Sequence, residues 1–410
     1  MKKRHRQLPL VDRMALILAP LLALQWPVLH ALQPSLGIPW VPLLPGIAIF
    51  ASAYLLSWAA EVAEVDIPPA LALGLLALVA VAPEYAVDIY FAWRGGQDPT
   101  YVPYATANMT GGNRLLIGVG WALVVLAYGW KTRKREVVLD KRLRLETVVL
   151  LLATLYSFVI PFKKTLSLWD TGFFLALFAF YFSRLLRSGA AEPAAEGPVA
   201  VIHNWKPFPR RLFVISFFAV AAAVIYLASH PFAEGLLDLG RHWGIEEFIL
   251  VQWLAPLASE SPEFIVAVLF ALKSRPTAGF NTILSSTVSQ WTLLVGMLPL
   301  VFVLSAEKVL PMPLDPRQAQ EVFLTSAQSL FGVVILSNLR FARKEAVALF
   351  ALFLAQTFYP LVEPWVGIPS MTVRDIFAWL YLGLAAGILV ASGRVRKDLG
   401  GLLGALGKRA

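Results

Sequence analysis

Two short segments place pairs of acidic side chains inside long apolar runs. In the first segment Glu84 and Asp88 are four residues apart, and a proline directly precedes Glu84. In the second, Glu260 and Glu263 are three residues apart, and a proline directly precedes Glu263. Both spacings put the two carboxylates on one face of a helix. The pattern predicts that these side chains bind cations or protons.

The prolines, and the position of the acids inside apolar segments, both favour a binding site. Proline removes a backbone N–H donor and frees carbonyl oxygens, which a hard cation uses together with carboxylates. A carboxylate near the bilayer centre costs several kcal/mol unless a proton or a cation compensates it. The alternative is a solvated acid at a helix end, with proline as an ordinary first-turn residue. Two matching segments favour the site over that alternative.

The apolar segment that follows each acidic pair carries neutral oxygen ligands. Asn108 and Asn113 follow the first pair, whereas Ser286 and Gln290 follow the second. Ser259 directly precedes Glu260. Amide and hydroxyl oxygens can bind cations, or they can simply form hydrogen bonds between helices. We therefore expect these five residues to complete a cation site with the four acids.

Arg114 is a fixed positive charge beside the first set of neutral ligands. We hypothesise that its guanidinium pairs with Asp88 or Glu84 and replaces one bound cation, which would tune the charge of the site. The alternative is a structural pair, or a side chain that reaches toward the membrane surface.

The composition of the chain indicates a membrane protein. Of the 410 residues, 58% are apolar and 15% are charged, whereas an ordinary soluble domain has about 25% charged residues. Twelve spans of about 20 residues would use roughly 240 residues. The chain contains no cysteine, which excludes disulfides and thiolate metal sites. We predict spans at about 14–33, 41–62, 67–93, 101–130, 144–162, 167–186, 209–230, 245–272, 277–305, 319–339, 342–361 and 372–392.

Lys and Arg set the predicted orientation. Most of the 35 Lys and Arg residues fall on one side when the spans alternate from a cytoplasmic N-terminus. This predicts a multi-pass protein of the cell inner membrane with both termini in the cytoplasm. The net charge of +9 is then a topology signal, so the lipid bilayer is the expected partner and nucleic acid is not.

The two halves of the chain are related to each other. Asp140 and Glu146 belong to a motif that recurs around Asp315 and Glu321, and a Pro-Glu pair precedes each copy. The alternating spans give the copies opposite orientations, which is typical of secondary transporters. We expect an N-terminal half at 1–187, a cytoplasmic linker at 188–208 and a C-terminal half at 209–410.

These motifs resemble the sodium/calcium exchanger family, the calcium:cation antiporters that include proton/calcium exchangers. The resemblance covers two repeats, at about 75–125 and 252–300, and places Glu84 and Glu263 on the family's two central acidic ligands. It implies an all-α polytopic membrane protein of about twelve helices, with an inverted-repeat core of 5+5 helices and one extra helix at each end. Gly112 and Leu116 stand where the family has a serine and an asparagine ligand.

The expected function is secondary antiport of Ca²⁺ or a related cation against Na⁺ or H⁺. Both ions would use one shared carboxylate site near the bilayer midplane, by alternating access. We expect no enzyme activity and no cofactor. One alternative is an exchanger-fold protein that does not carry Ca²⁺, such as a Na⁺/H⁺ exchanger or a regulatory relative. Another is an intramembrane hydrolase with an acid pair, although no zinc-ligand motif accompanies it. The driving ion, the stoichiometry and the oligomeric state stay open.

Overall fold

The protein is almost entirely helical. The computed structural model describes residues 10–32, 35–63, 65–67, 82–187 and 198–404. Its α-helices are α1 Leu10–Leu32, α2 Trp40–Ala63, α3 Ala82–Gln97, α4 Val102–Leu115, α5 Ala122–Thr132, α6 Arg144–Ser157, α7 Val159–Lys163, α8 Leu168–Arg187, α9 Pro207–Trp243, α10 Glu247–Leu272, α11 Pro276–Ser289, α12 Val295–Ala306, α13 Pro316–Leu336, α14 Arg343–Val366, α15 Ser370–Ala391 and α16 Gly393–Gly404. Four short strands accompany them: β1 Glu136–Val138, β2 Thr165–Leu166, β3 Met312–Pro313 and β4 Arg340–Ala342.

The membrane-spanning character predicted from composition is confirmed. Within the described ranges, 10 helical stretches are long and apolar enough to cross a bilayer. Of the twelve predicted spans, the one at 67–93 has residues 68–81 outside the described residues. The span at 167–186 corresponds to α8, which carries Asp170, Arg184 and Arg187 and is not among the 10. The fold is all-α and polytopic, and the count of twelve stays a prediction.

Helix α9 is much longer than its predicted span at 209–230. It runs for 37 residues and continues through Pro231. The apolar side chains Phe232, Leu236 and Leu239 beyond that proline are all buried. Their spacing of three and four residues keeps one helical face in the core, so packing extends the helix past a residue that usually ends one.

One compact unit contains the described residues of 1–87 and 182–245. Its core joins α2 and α9, which approach closely because small residues face the partner helix. A Cβ added to Gly46 would lie 2.9 Å from the Phe232 ring, and one added to Gly235 would lie 2.9 Å from the Pro42 nitrogen. Val199, from the second part of the predicted linker, is buried in this core.

Asp66 joins the turn after α2 to the start of α9 in this unit. Arg210 donates two hydrogen bonds of 2.8 Å to its carboxylate, and Arg211 donates one of 3.1 Å. The hydrogen bonds from Arg210, followed by those from Arg211 and the charge of both guanidinium groups, lower the pKa of Asp66 to about 2.

The second unit contains the described residues of 88–181 and 246–404. Its strands pair between the two halves of the chain, β1 antiparallel with β4 and β2 antiparallel with β3. Asp140 and Asp315, the acids of the repeated motif, both accept a backbone N–H at a helix start. Corresponding segments of the two halves therefore form corresponding strands and helix starts, as an inverted repeat requires. The boundaries 1–187 and 209–410 stay predictions.

Candidate cation-binding site

Three of the predicted acidic ligands lie together in the second unit. Asp88 of α3 is fully buried, and Glu260 and Glu263 of α10 are 3% and 9% exposed. Glu260 is a close charged neighbour of both Asp88 and Glu263. Neither Asp88 nor Glu263 has an ion-pair partner among the residues that the structure describes. The arrangement concentrates acidic groups inside an apolar helical bundle.

Helix α10 positions its two acids beside irregular backbone. Pro256 and Pro262 both lie inside the helix, and each removes the N–H that would bond the carbonyl four residues earlier. The Ser259 hydroxyl donates to the Ala255 carbonyl at 3.1 Å. This turn of α10 therefore offers carbonyl and hydroxyl oxygens next to the carboxylates.

Helix α4 crosses α10 at very short range and places one amide of the first repeat beside an acid. A Cβ added to Gly111 would lie 1.8 Å from the Gln252 carbonyl oxygen, so only glycine fits there. Asn108 is the polar neighbour of the Asp88 carboxylate. Asn113 donates to the Met109 carbonyl at 2.9 Å. Its own oxygen is buried and has no hydrogen-bond partner in the described part of the chain.

The second repeat supplies its amide at the start of a π-helical turn. Gln290 donates a hydrogen bond to a carboxylate oxygen of Glu260. Ser286 lies one helical turn earlier and is 4% exposed. A second π-helical turn, Leu116–Trp121, follows α4 just as Gln290–Leu294 follows α11. Such turns are frequent at functional sites, and here one begins with an amide and the other with an apolar side chain.

The carboxylates by themselves do not form a metal cage. Within the described ranges, no three His, Asp or Glu side chains stand close enough to hold one ion. Amide, hydroxyl and carbonyl oxygens must therefore share the coordination of any bound cation. Glu84 belongs to the first unit, one helical turn before Asp88 in α3, and is 1% exposed.

Arg114 does not form the predicted pair with an acid of the site. Its guanidinium lies 2.6 Å from Glu321 of α13, whose other carboxylate oxygen lies 2.8 Å from Arg374. The Arg114 guanidinium also lies over the Trp253 ring, 5.0 Å from its centre. The pairing hypothesis is wrong because α13 presents a buried carboxylate to the end of α4. The tuning role of Arg114 stays a proposal.

The sequence patterns do not identify Glu321, Gln252 or Arg374 as candidates for the site. Glu321 holds the two guanidinium groups and also has the Gln252 amide as a hydrogen-bond neighbour. For Glu321, the repeated motif is the sequence signal, because Glu321 corresponds there to Glu146. Glu146 is also buried, 5% exposed, next to Tyr181. An acid at this position of both repeats therefore marks a buried polar centre.

The comparison with known families agrees with this architecture. The model of the sodium/calcium exchanger protein family matches residues 40–186 and 213–362, which is most of the chain. The chain belongs to the sodium/calcium exchanger family. Families of this kind are membrane transporters rather than enzymes. Among curated proteins, no sequence matches the chain significantly.

Solved structures of exchangers share this fold. The crystal structure of the H⁺/Ca²⁺ exchanger CAX is 42% identical, with a TM-score of 0.89, and the match covers 97% of this chain and 98% of that one. The Ca²⁺/H⁺ antiporter protein YfkE is 14% identical, with a TM-score of 0.63 over 85% of this chain and 99% of that one. The sodium-calcium exchanger NCX_Mj is 16% identical, with a TM-score of 0.51 over 76% and 94%. The last two comparisons show the shared exchanger fold alone.

Proposed function

We propose that this exchanger-family protein is a secondary antiporter that moves Ca²⁺ in exchange for H⁺. The observation that carries the proposal is the group of buried neighbours Asp88, Glu260 and Glu263. Glu260 is the charged neighbour of each of the other two, and neighbouring carboxylates in a bilayer must be neutralised by bound cations or by protons. Binding of either species at one group of acids couples their movements, because the two cannot neutralise the same carboxylates together.

The proposed ligands combine acids with neutral oxygens. Ca²⁺ takes six to eight oxygens, typically at about 2.3–2.6 Å, and accepts carboxylates, amides, hydroxyls and backbone carbonyls. In this proposal the central ligands are Glu84 and Glu263, as the two sequence repeats indicate. The other ligands come from Asp88, Glu260, Asn108, Asn113, Ser259, Ser286 and Gln290.

The choice of H⁺ rests on the relative with 42% identity, which is an H⁺/Ca²⁺ exchanger. In the proposed cycle, Ca²⁺ binds the deprotonated acids, and protons that arrive from the other side displace it. Only neutralised forms of the site permit the movement that exposes it alternately to each side. We further propose that the protein resides in the cell inner membrane with both termini in the cytoplasm.

A second candidate is an exchanger that does not carry Ca²⁺, for example a Na⁺/H⁺ exchanger. It is favoured by the first repeat, where Gly112 and Leu116 replace two neutral ligands. Leu116 begins its π-helical turn at the point where Gln290 begins the other. A site with fewer neutral oxygens would suit a species that takes fewer ligands than Ca²⁺, such as a proton or Na⁺.

Flux measurements in proteoliposomes test the proposal. We expect an imposed pH gradient to drive Ca²⁺ uptake and a Na⁺ gradient of the same size to drive much less. Glu263→Gln and Asp88→Asn should each reduce this uptake at least 100-fold, because each removes a charge that Ca²⁺ requires. Glu307→Gln, at an exposed acid, is the matched control and should transport like the parent. If Glu263→Gln is as active as that control, the shared carboxylate site is refuted.

A further inference from the structure

A cavity in the second unit lies beside the Arg114–Glu321 pair and outside the proposed cation site. Its volume is about 320 Å³, within the range of sites that bind small molecules. Arg114, Glu321 and Arg374 line it together with apolar side chains of α10 and α14. Its lining comes from the first three turns of α10, the second turns of α13 and α15, the end of α4 and the later part of α14. The starts of α10, α13 and α15 are at the membrane side that the Lys and Arg distribution predicts to be non-cytoplasmic.

The charged groups on the cavity wall do not balance. Two guanidinium groups, those of Arg114 and Arg374, share the single carboxylate of Glu321. The neighbouring Arg317 is paired with Glu246, and Asp375 accepts a hydrogen bond from Gln320 at 2.8 Å instead of lining the cavity. One positive charge is therefore in excess. Arginine stays charged in proteins, so this excess favours an anion.

The rim of the cavity is apolar and faces outward. Leu257, Phe358 and Leu361 line it with 47%, 55% and 67% of their surfaces exposed. All three belong to helices that are long and apolar enough to span the membrane. The cavity is therefore open to hydrocarbon at this rim, and a ligand that enters there must carry apolar chains as well as a negative charge.

The wall also offers hydrogen-bond acceptors. The amide nitrogen of Gln356 donates to Gln328 at 2.9 Å. The carbonyl oxygen of the same side chain is buried and has no hydrogen-bond partner in the described part of the chain. The buried hydroxyl of Thr357 has no partner within the same residues. Both residues line the cavity. A ligand with hydroxyl groups near its negative charge would satisfy them.

We propose that this cavity binds an anionic phospholipid with a hydroxylated headgroup. The phosphate would pair with Arg374, the headgroup hydroxyls would donate to Gln356 and Thr357, and an acyl chain would lie over the exposed apolar rim. The bound lipid would neutralise the excess charge and would link α13, α14 and α15. This site is independent of the ion that the protein transports.

Lipid binding to the purified full-length protein in detergent tests this proposal. Phosphatidylglycerol should raise the melting temperature saturably, while phosphatidylcholine with the same acyl chains should not. Native mass spectrometry should detect one retained phosphatidylglycerol. Arg374→Gln should weaken its binding at least 10-fold, whereas Arg241→Gln, which removes an exposed charge elsewhere, should leave it unchanged.

A second variant keeps the test decisive if Arg374→Gln does not fold. Leu361→Asp places a negative charge on the exposed rim and should also weaken phosphatidylglycerol binding. Equal effects of both lipids, or full binding by Leu361→Asp and by any folded Arg374→Gln, would overturn the proposal. Equal losses in Arg374→Gln and Arg241→Gln would overturn it as well, because they would indicate unspecific charge attraction. None of these measurements depends on Ca²⁺ transport.

Discussion

At the crossing of α4 and α10, a substitution that adds a single methyl group should disturb the cation site more than it would elsewhere. Gly111 lies directly against the backbone of Gln252, and an alanine Cβ would be 1.8 Å from that carbonyl oxygen. Cβ atoms essentially never approach other heavy atoms closer than 3.0 Å. The two backbones would therefore separate by roughly 1.2 Å, because a packed interior has no space to absorb the methyl group.

This separation would shift Asn108, on one helix of the crossing, relative to Ser259 and Glu263 on the other helix. A misplacement of about 1 Å can reduce a rate by about 100-fold when several groups must act together. We therefore expect Gly111→Ala to reduce Ca²⁺ uptake about 100-fold per folded molecule. Overpacking should also lower the free energy of unfolding by about 1–3 kcal/mol.

Gly383→Ala is the matched control for this variant. Gly383 lies in the membrane-spanning helix α15, and a Cβ there would meet nothing within 4 Å. We expect unchanged uptake and an equal or slightly higher melting temperature, because alanine favours the helix. The assay compares Ca²⁺ flux in proteoliposomes and melting in detergent for both variants. Equal flux and equal melting for Gly111→Ala and Gly383→Ala would refute the reasoning.

Two further predictions concern ion pairs. Glu321→Gln should lower the free energy of unfolding by on the order of 3 kcal/mol, because it leaves the buried guanidinium of Arg114 and the half-buried one of Arg374 without an anion. The double variant with Arg114→Gln should recover part of the loss in melting experiments, and a further loss would contradict this account. Asp66→Asn should lower the melting temperature above pH 4 by on the order of 2 °C. Because the folded protein lowers the pKa of Asp66 from 3.8 to about 2, this stabilisation is present above pH 4 and is lost as the pH falls toward 2. A difference that is constant with pH would argue against it.

The amino-acid sequence by itself determined the membrane class, most of the spans and the position of the acids within them. These features follow from the preference of each side chain for water or hydrocarbon, which depends on the residue and its neighbours in the chain. The repeated Asp140 and Asp315 motifs were readable for the same reason, since a helix cap is formed by residues three positions apart or fewer.

Only the tertiary structure decided which distant groups meet. The pairing of Arg114 with Glu321, the close approach of Gly111 to Gln252 and the bond from Gln290 to Glu260 each depend on the rotation and crossing of separate helices. The spacing of residues along one helix does not contain that information. The extension of α9 beyond Pro231 has the same origin, because packing against other helices outweighs a local signal to end the helix.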